Sequence, residues 1–357
     1  MARGWSKFFL LALLLATALG AGAAIRQEFI FTSAPFPSAH ASTLVALPEG
    51  RVMAAWFGGT HEGAPDVAIW SSVRSAGPRG AWSAPRELAR AKGVPCYNPV
   101  LFYTGKRLWL YYKFGPNPSS WTGARRFSMD NGATWSASEV LPAGILGPIR
   151  TKPLVRNGGT TVVSGTSVES YEDWAVWIER STNNGETWLK IGPVGNPPAP
   201  AKSVPPAVPY TDNPAIRGLI QPTVLPLGKN HLRLYARATQ TIGHICVADS
   251  YDDGRSWTAA RPLDLPNPNS GIDIVRLRDG RFVLVYNDSQ RLRTPLSLAV
   301  STDGEHFRKF ADLETAPGEY SYPAAIQAPN GEVEMTYTWQ RKRIRYAVLP
   351  LADVPAR

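Results

Sequence analysis

The octapeptide Ser128-Met129-Asp130-Asn131-Gly132-Ala133-Thr134-Trp135 returns as Ser181-Thr182-Asn183-Asn184-Gly185-Glu186-Thr187-Trp188, and again as Ser250-Tyr251-Asp252-Asp253-Gly254-Arg255-Ser256-Trp257. A shortened copy reads Ser301-Thr302-Asp303-Gly304-Glu305-His306-Phe307, and a worn one runs from Ser71 to Trp82. Their aromatic ends fall at 82, 135, 188, 257 and 307, spacings of 53, 53, 69 and 50 residues. Asp or Asn caps a tight turn with its side chain, Gly supplies positive φ, and Trp packs between sheets. Such an octapeptide belongs in a hairpin turn. One hairpin about every fifty residues fits one four-stranded propeller blade per repeat.

Outward from these turns the chain divides into sets of apolar, β-prone segments with almost no helical periodicity. Four segments are expected in each of the first five sets, for example Pro99–Tyr103, Arg107–Phe114, Gly123–Met129 and Thr134–Val140. The sixth set offers only Tyr322–Gln327, Glu332–Trp339 and Ile344–Leu349. The missing strand is available in Glu28–Thr32, and pairing it there removes an exposed sheet edge. The fold expected is therefore all-β: a six-bladed β-propeller whose N-terminal strand closes the last blade. The Pro-rich stretch Gly192–Thr211 accounts for the one long spacing and reads as a loop over one face.

Residues 1–24 stand apart. Arg3 and Lys7 precede an apolar run from Phe8 to Leu19, and the small residues Gly20 to Ala24 follow. That order is that of a secretory signal peptide. The expectation is a periplasmic or secreted protein with one domain over 25–357, free of the membrane after cleavage and monomeric. The net charge of +10 falls to +8 without Arg3 and Lys7. The positive charge is scattered, which argues for an anionic ligand and against a nucleic-acid groove. Cys96 and Cys246 read as two buried free thiols. No His/Cys/Asp spacing suggests a metal site and no Gly-rich phosphate loop precedes a helix, so neither metal nor cofactor is expected.

In a blade, the start of the first strand and the end of the second share one rim of the channel. Before the first strands stand His40, Asn98, Lys152, Gln221, Asn269 with Ser270, and Tyr320 with Tyr322. After the second strands stand Trp56 with His61 and Glu62, Lys113, Ser167, Arg237, Asn287, and Trp339 with Arg341. Cations mixed with aromatics suit an anionic sugar, the cations taking its carboxylate and the aromatics stacking on its ring.

The repeated turns resemble the Asp-boxes (BNR repeats) of sialidases and related propellers. Ala54–Asp66, Pro266–Gly271 and Pro317–Pro323 look like the bacterial "predicted neuraminidase" group. Sialidases use three arginines on the substrate carboxylate, a Tyr nucleophile helped by Glu, and an Asp acid/base. The resemblance places His40 in the first arginine's position and Arg237 in the second. The third position, Asn267-Pro268-Asn269-Ser270-Gly271, has no clean match. Tyr322 fits the tyrosine with Glu319 close by, and the acid/base falls to Asp66 or Glu62.

The function expected is an exo-acting, sialidase-like glycoside hydrolase that removes a terminal acidic sugar from a glycan or polysaccharide. In it Asp66 or Glu62 protonates the leaving oxygen, and Tyr322 or Glu319 stabilises or attacks the anomeric centre. Arg237, Lys113 and Lys152 hold the anion. The alternatives are a polysaccharide lyase on a uronic-acid polymer, with His40 or His61 as base and Tyr322 as acid, and a glycan-binding propeller without turnover.

Overall fold

The computed structural model describes residues 24–170, 173–198 and 216–356. The expected signal peptide lies outside them except for Ala24, as do residues 199–211 of the Pro-rich stretch. Within each described repeat the turn is closed by its own side chains. Ser128 Oγ donates to Asp130 Oδ1 (2.7 Å), Gly132 N donates to Ser128 Oγ (2.8 Å), and Thr134 N donates to Asp130 Oδ1 (2.8 Å). Asn183 and Asp252 take the same bonds from Thr187 N and Ser256 N at 3.0 and 2.9 Å. Asn131, Asn184 and Asp253 and the glycine after each have positive φ, a conformation these residues adopt at least cost.

Four-stranded antiparallel units follow one another along the chain. The first comprises Ser38–Ala46, Val52–Gly59, Ala68–Arg74 and Arg86–Ala89. The second comprises Cys96–Thr104, Arg107–Phe114, Thr122–Ser128 and the short Glu139–Val140. The third holds Leu154–Arg156, Thr161–Glu169, Asp173–Ser181 and Leu189–Ile191, and the fourth Arg217–Pro226, Leu232–Ala238, His244–Ser250 and Arg261–Pro266. These two join into one sheet through a parallel contact, Asp173 with Arg217 and Trp174 with Gly218. The fifth runs through Asp273–Arg276, Phe282–Asn287, Leu296–Ser301 and Arg308–Glu314. The last holds Tyr320–Gln327, Val333–Trp339 and Arg343–Leu349, with Arg26–Phe29 paired antiparallel to Arg343–Leu349. The N-terminal strand thus begins two residues earlier than the sequence suggested and ends sooner.

The outer strands also start later than expected: Thr134–Val140 shrinks to Glu139–Val140. The cause is local. Trp135 turns inward on a buried cluster, and Ser136 N bonds back to Phe127 O (2.8 Å), so the residues after the turn are committed before the ladder resumes. Apolar side chains gather between successive units, including Leu44, Val52 and Trp56 of the first unit with Ile344, Tyr346 and Val348 of the last. Sheets covered on both faces explain why Val52–Gly59 is buried along its whole length. The fold is all-β and consistent with a β-propeller. Cys96 and Cys246 are buried and unpaired with one another.

Candidate active site

One backbone device recurs where the first strand of a unit begins. Register slips by a bulge between His40 and Thr43, Tyr97 and Val100, Ile220 and Thr223, and Ser321 and Ala324. Within those bulges Ala41, Asn98, Gln221 and Tyr322 have φ of 53°, 40°, 54° and 52°, and Asn269 has 56°. A bulge bends its strand and re-aims a side chain. For Tyr322 the left-handed conformation is strained, and such strain persists where the surroundings over-determine it.

Those bulges deliver a connected group. Arg237 Nη1 donates to the Tyr322 hydroxyl oxygen (2.7 Å) and to Gln221 Oε1 (3.3 Å), while Arg237 Nε donates to Asn269 Oδ1 (2.7 Å). Gln221 Nε2 also reaches the Tyr322 oxygen at 3.4 Å. Three guanidinium carbons stand 5.3, 5.6 and 5.8 Å from the Tyr322 ring centre, those of Arg150, Arg237 and Arg293. All four side chains are buried. Arg150 crosses between units, its Nη2 donating to Ile272 O (2.5 Å) and Pro323 O (2.7 Å). Its Nε and Nη1 are buried with no protein partner. Beside them Gly271 presents no side chain; a Cβ there would lie 3.4 Å from both Arg150 Nε and Gln221 Oε1. A buried guanidinium with unpartnered N–H groups in a polar space suits a carboxylate oxygen, which takes a charge-assisted N–H bond.

His40 packs its ring 4.3 Å from that of Tyr322. Its Nδ1 meets Thr338 Oγ1 at 3.0 Å, and its Nε2 is buried without a protein partner. Burial, and after it Arg341, hold His40 well below its ordinary value, so the imidazole is neutral near pH 7. Glu319 is engaged on both oxygens: Oε1 accepts from Arg293 Nη1 (2.7 Å) and Ser321 Oγ (2.9 Å), and Oε2 from Arg341 Nε (2.7 Å). Burial alone would push Glu319 up; the Arg293 and Arg341 guanidinium groups outweigh it and keep the carboxyl well below the usual range. Arg341 also pairs with Glu62 on the exposed loop. On that loop Asp66 Oδ2 accepts from Thr60 N (2.9 Å) and Thr60 Oγ1 (2.8 Å), and His61 Nδ1 sits 2.9 Å from Glu62 O.

The structure therefore brings together His40, Gln221, Arg237, Asn269, Glu319 and Tyr322, with Glu62 joined through Arg341. Asn98 occupies the matching bulge of the second unit and is buried. Four residues expected on the rim are committed elsewhere. Lys113 is fully buried and donates to Pro148 O. Lys152 Nζ pairs with Asp273 Oδ2 (2.8 Å), a carboxylate that also takes Thr223 Oγ1 and Ala325 N and so pins several units together. Tyr320 lies in the apolar cluster between the last two units, and Trp339 packs against that cluster and edge-on to Phe29 at 5.3 Å. Strand alternation assigns a face to these side chains but not a depth.

Sequence reasoning missed Arg150 and Arg293. Arg150 stands two residues before Lys152 in Pro148-Ile149-Arg150-Thr151-Lys152-Pro153, so the signal was present but given to the wrong cation. Arg293 lies in the loop between two strands of the fifth unit, outside every strand-end position. Among the described residues no group of three or more His, Cys, Asp or Glu side chains is placed to hold a metal ion.

Bulged first strands, self-capped turns and a buried site rich in arginine define the class: a sialidase-like, BNR-repeat all-β protein. Residues 50–335 match the BNR repeat-like domain, and the chain belongs to that family. No protein of curated function matches the sequence. Among solved structures the chain is similar to the NanB sialidase from Streptococcus pneumoniae in complex with 2-[(3-chlorobenzyl)ammonio]ethanesulfonate. That match has 13% identity and a TM-score of 0.71 over 92% of this chain and 71% of that one. An intramolecular trans-sialidase from Ruminococcus gnavus, in complex with oseltamivir carboxylate, matches at 12% identity and a TM-score of 0.68, over 93% and 98% of the two chains. A protein of unknown function from Dyadobacter fermentans matches at 16% identity and 0.70, over 91% and 98%. At these identities the likeness is one of fold.

Proposed function

We propose that the four-stranded units are six blades of a single exported propeller domain over residues 25–357, monomeric and periplasmic or secreted. Its channel site is that of an exo-acting glycoside hydrolase on a terminal sugar carrying a carboxylate. The observation that carries this reading is the ring of three buried guanidinium groups around Tyr322, with Arg150 Nε and Nη1 each left to donate to a ligand. Burial penalises the charged form of Arg150, and a substrate carboxylate offsets that cost.

The chemistry follows from what each group has left to offer. Glu319 is occupied by Arg293, Arg341 and Ser321, so it balances charge rather than attacking. The Tyr322 oxygen bonds to the anomeric carbon as the bond to the leaving oxygen breaks, its hydroxyl proton passing to the neutral His40 beside it and returning when water displaces the tyrosine. Arg237 and Gln221, already donors to that oxygen, position it. Asp66 or Glu62 on the Thr60–Asp66 loop gives the leaving oxygen its proton. The same carboxylate then takes a proton from the water that displaces Tyr322 from the sugar.

The neutral His40, with Nε2 unpartnered beside Tyr322, favours a second reading as a lyase. There His40 removes the proton next to a uronate carboxylate and Tyr322 protonates the leaving oxygen. Incubation with 4-methylumbelliferyl glycosides of sialic acid and glucuronic acid, and with uronic-acid polymers, separates the readings. Released sugar supports the hydrolase, and an unsaturated product absorbing in the ultraviolet supports the lyase. Saturable binding without any product would leave a glycan-binding propeller, and neither binding nor product would refute the acidic-sugar reading.

A further inference from the structure

Arg150 reaches the channel at the end of a segment that crosses between the second and third units. Two buried ionisable side chains meet that segment, one from each side. Lys113, on Arg107–Phe114, donates to Pro148 O. Glu179, on Asp173–Ser181, accepts from Leu146 N at 2.9 Å and from Gly147 N at 2.6 Å. Both are 0% exposed. Burying an ammonium and a carboxylate is expensive, and apolar side chains of similar volume fill such space at lower cost. Here burial pushes Lys113 down and Glu179 up, each to about 7, and each side chain satisfies main-chain groups that the buried crossing leaves without strand partners.

Two of these residues, Leu146 and Gly147, are also gripped sterically. Gly147 has φ +68°, and a Cβ there would meet Tyr111 Cδ1 at 2.4 Å. A Cβ on Gly123 would come within 2.9 Å of Leu146 Cα. Beyond the grip, Ile149 N donates to Gly165 O (3.1 Å), Arg150 spans to Ile272 O and Pro323 O, and Thr151 Oγ1 donates to Pro222 O (2.7 Å). These bonds from 146 to 151 fix the path that brings the Arg150 guanidinium beside Tyr322.

We propose that Lys113 and Glu179 are positioning residues for Arg150: they hold the 146–148 backbone so that its free N–H donors meet the substrate carboxylate. This rests on the reading of the site as one for an acidic sugar. It assigns to Lys113, by way of Arg150, an effect on the anion that it does not touch.

The test uses the whole chain, with sialic acid and its methyl ester as probes. Glu179→Gln keeps the shape but replaces one of the two accepting oxygens with an NH2 donor. It should lower affinity for the acid by about tenfold to a hundredfold and leave the ester almost unchanged. Arg150→Met should show the same selectivity, and the double variant should bind the acid no worse than Arg150→Met alone, since both act through one contact. Lys113→Arg should retain acid binding that Lys113→Met loses. Amide exchange over 145–150 should quicken in Glu179→Gln with exchange in the other strands unchanged. Equal losses for acid and ester, additive losses in the double variant, or unchanged exchange would each overturn the proposal. If the wild-type chain binds neither probe, the acidic-sugar reading fails; exchange then decides the loop's anchoring alone, and unchanged exchange overturns that too. Should Glu179→Gln fail to fold, Lys113→Met with the same probes carries the comparison.

Discussion

A chain starting at Pro35 should be markedly less stable than one starting at Ala24. The truncation removes the strand Arg26–Phe29 and its whole pairing with Arg343–Leu349. It also removes Ile30 and Phe31, 2% and 7% exposed, the latter stacked on Trp56 at 5.0 Å. Burying two such side chains contributes roughly 3–6 kcal/mol together. Ladder bonds add to this, as do Gln27 Nε2 to Leu313 O (3.0 Å) and Ile30 N to Ile344 O (3.0 Å), at about 1 kcal/mol each. Glu28 is lost as the partner of both Arg74 Nε (2.7 Å) and Trp82 Nε1 (2.9 Å). The loss approaches the whole of an ordinary stability of about 5–15 kcal/mol. Scanning calorimetry at equal concentrations should show a Tm lower by roughly 10 °C or more, or no cooperative transition. A truncated chain melting within about 3 °C of the longer one would refute the argument, because the buried residues and the ladder cannot both be lost at that cost.

Arg237→Met removes a donor to Tyr322 and Asn269 together and should weaken binding of a carboxylated sugar by about 2–5 kcal/mol; calorimetric titration against the methyl ester shows whether the loss follows the carboxylate. Tyr322→Phe keeps the ring under the three guanidinium groups and removes only the oxygen. It should spare binding and lower turnover by about 10³-fold or more, and undiminished turnover would clear the tyrosine of its role. The Asp-box carboxylates should shape the acid limb of stability. The Thr134 hydroxyl and amide hold Asp130 at about 2, and at Asp252, against slight burial, the Ser256 hydroxyl and amide do the same. Folded values depressed below the ordinary 3.8 mean stabilisation present above that pH and lost as pH falls toward about 2. The Asp130→Asn/Asp252→Asn variant, which copies the residue type that Asn183 supplies in its own turn, should therefore melt below wild type at about pH 6 and no lower than wild type at about pH 2; a constant gap in Tm would count against it.

What the sequence alone determined is what short-range physics encodes. The octapeptide turn is closed by bonds spanning two to four residues, so its recurrence reads directly as repeated hairpins. The count of strands in each set, and the need of Tyr322–Leu349 for a fourth from the N-terminus, follow from apolar segments and an edge that must be covered. His40, Gln221, Arg237, Asn269 and Tyr322 were legible because a strand end is a local feature. The tertiary structure alone decided which cations the site owns. Arg150 is tied to Pro323 across 173 residues and Arg237 to Tyr322 across 85, contacts that no local pattern records. Arg293 arrives from a loop, and Lys113 and Lys152, placed on the rim by alternation, are drawn to Pro148 O and Asp273 instead. Alternation says which side of a strand a charge occupies. Only the packing of distant segments says whether that side holds a ligand, a carboxylate or another part of the backbone.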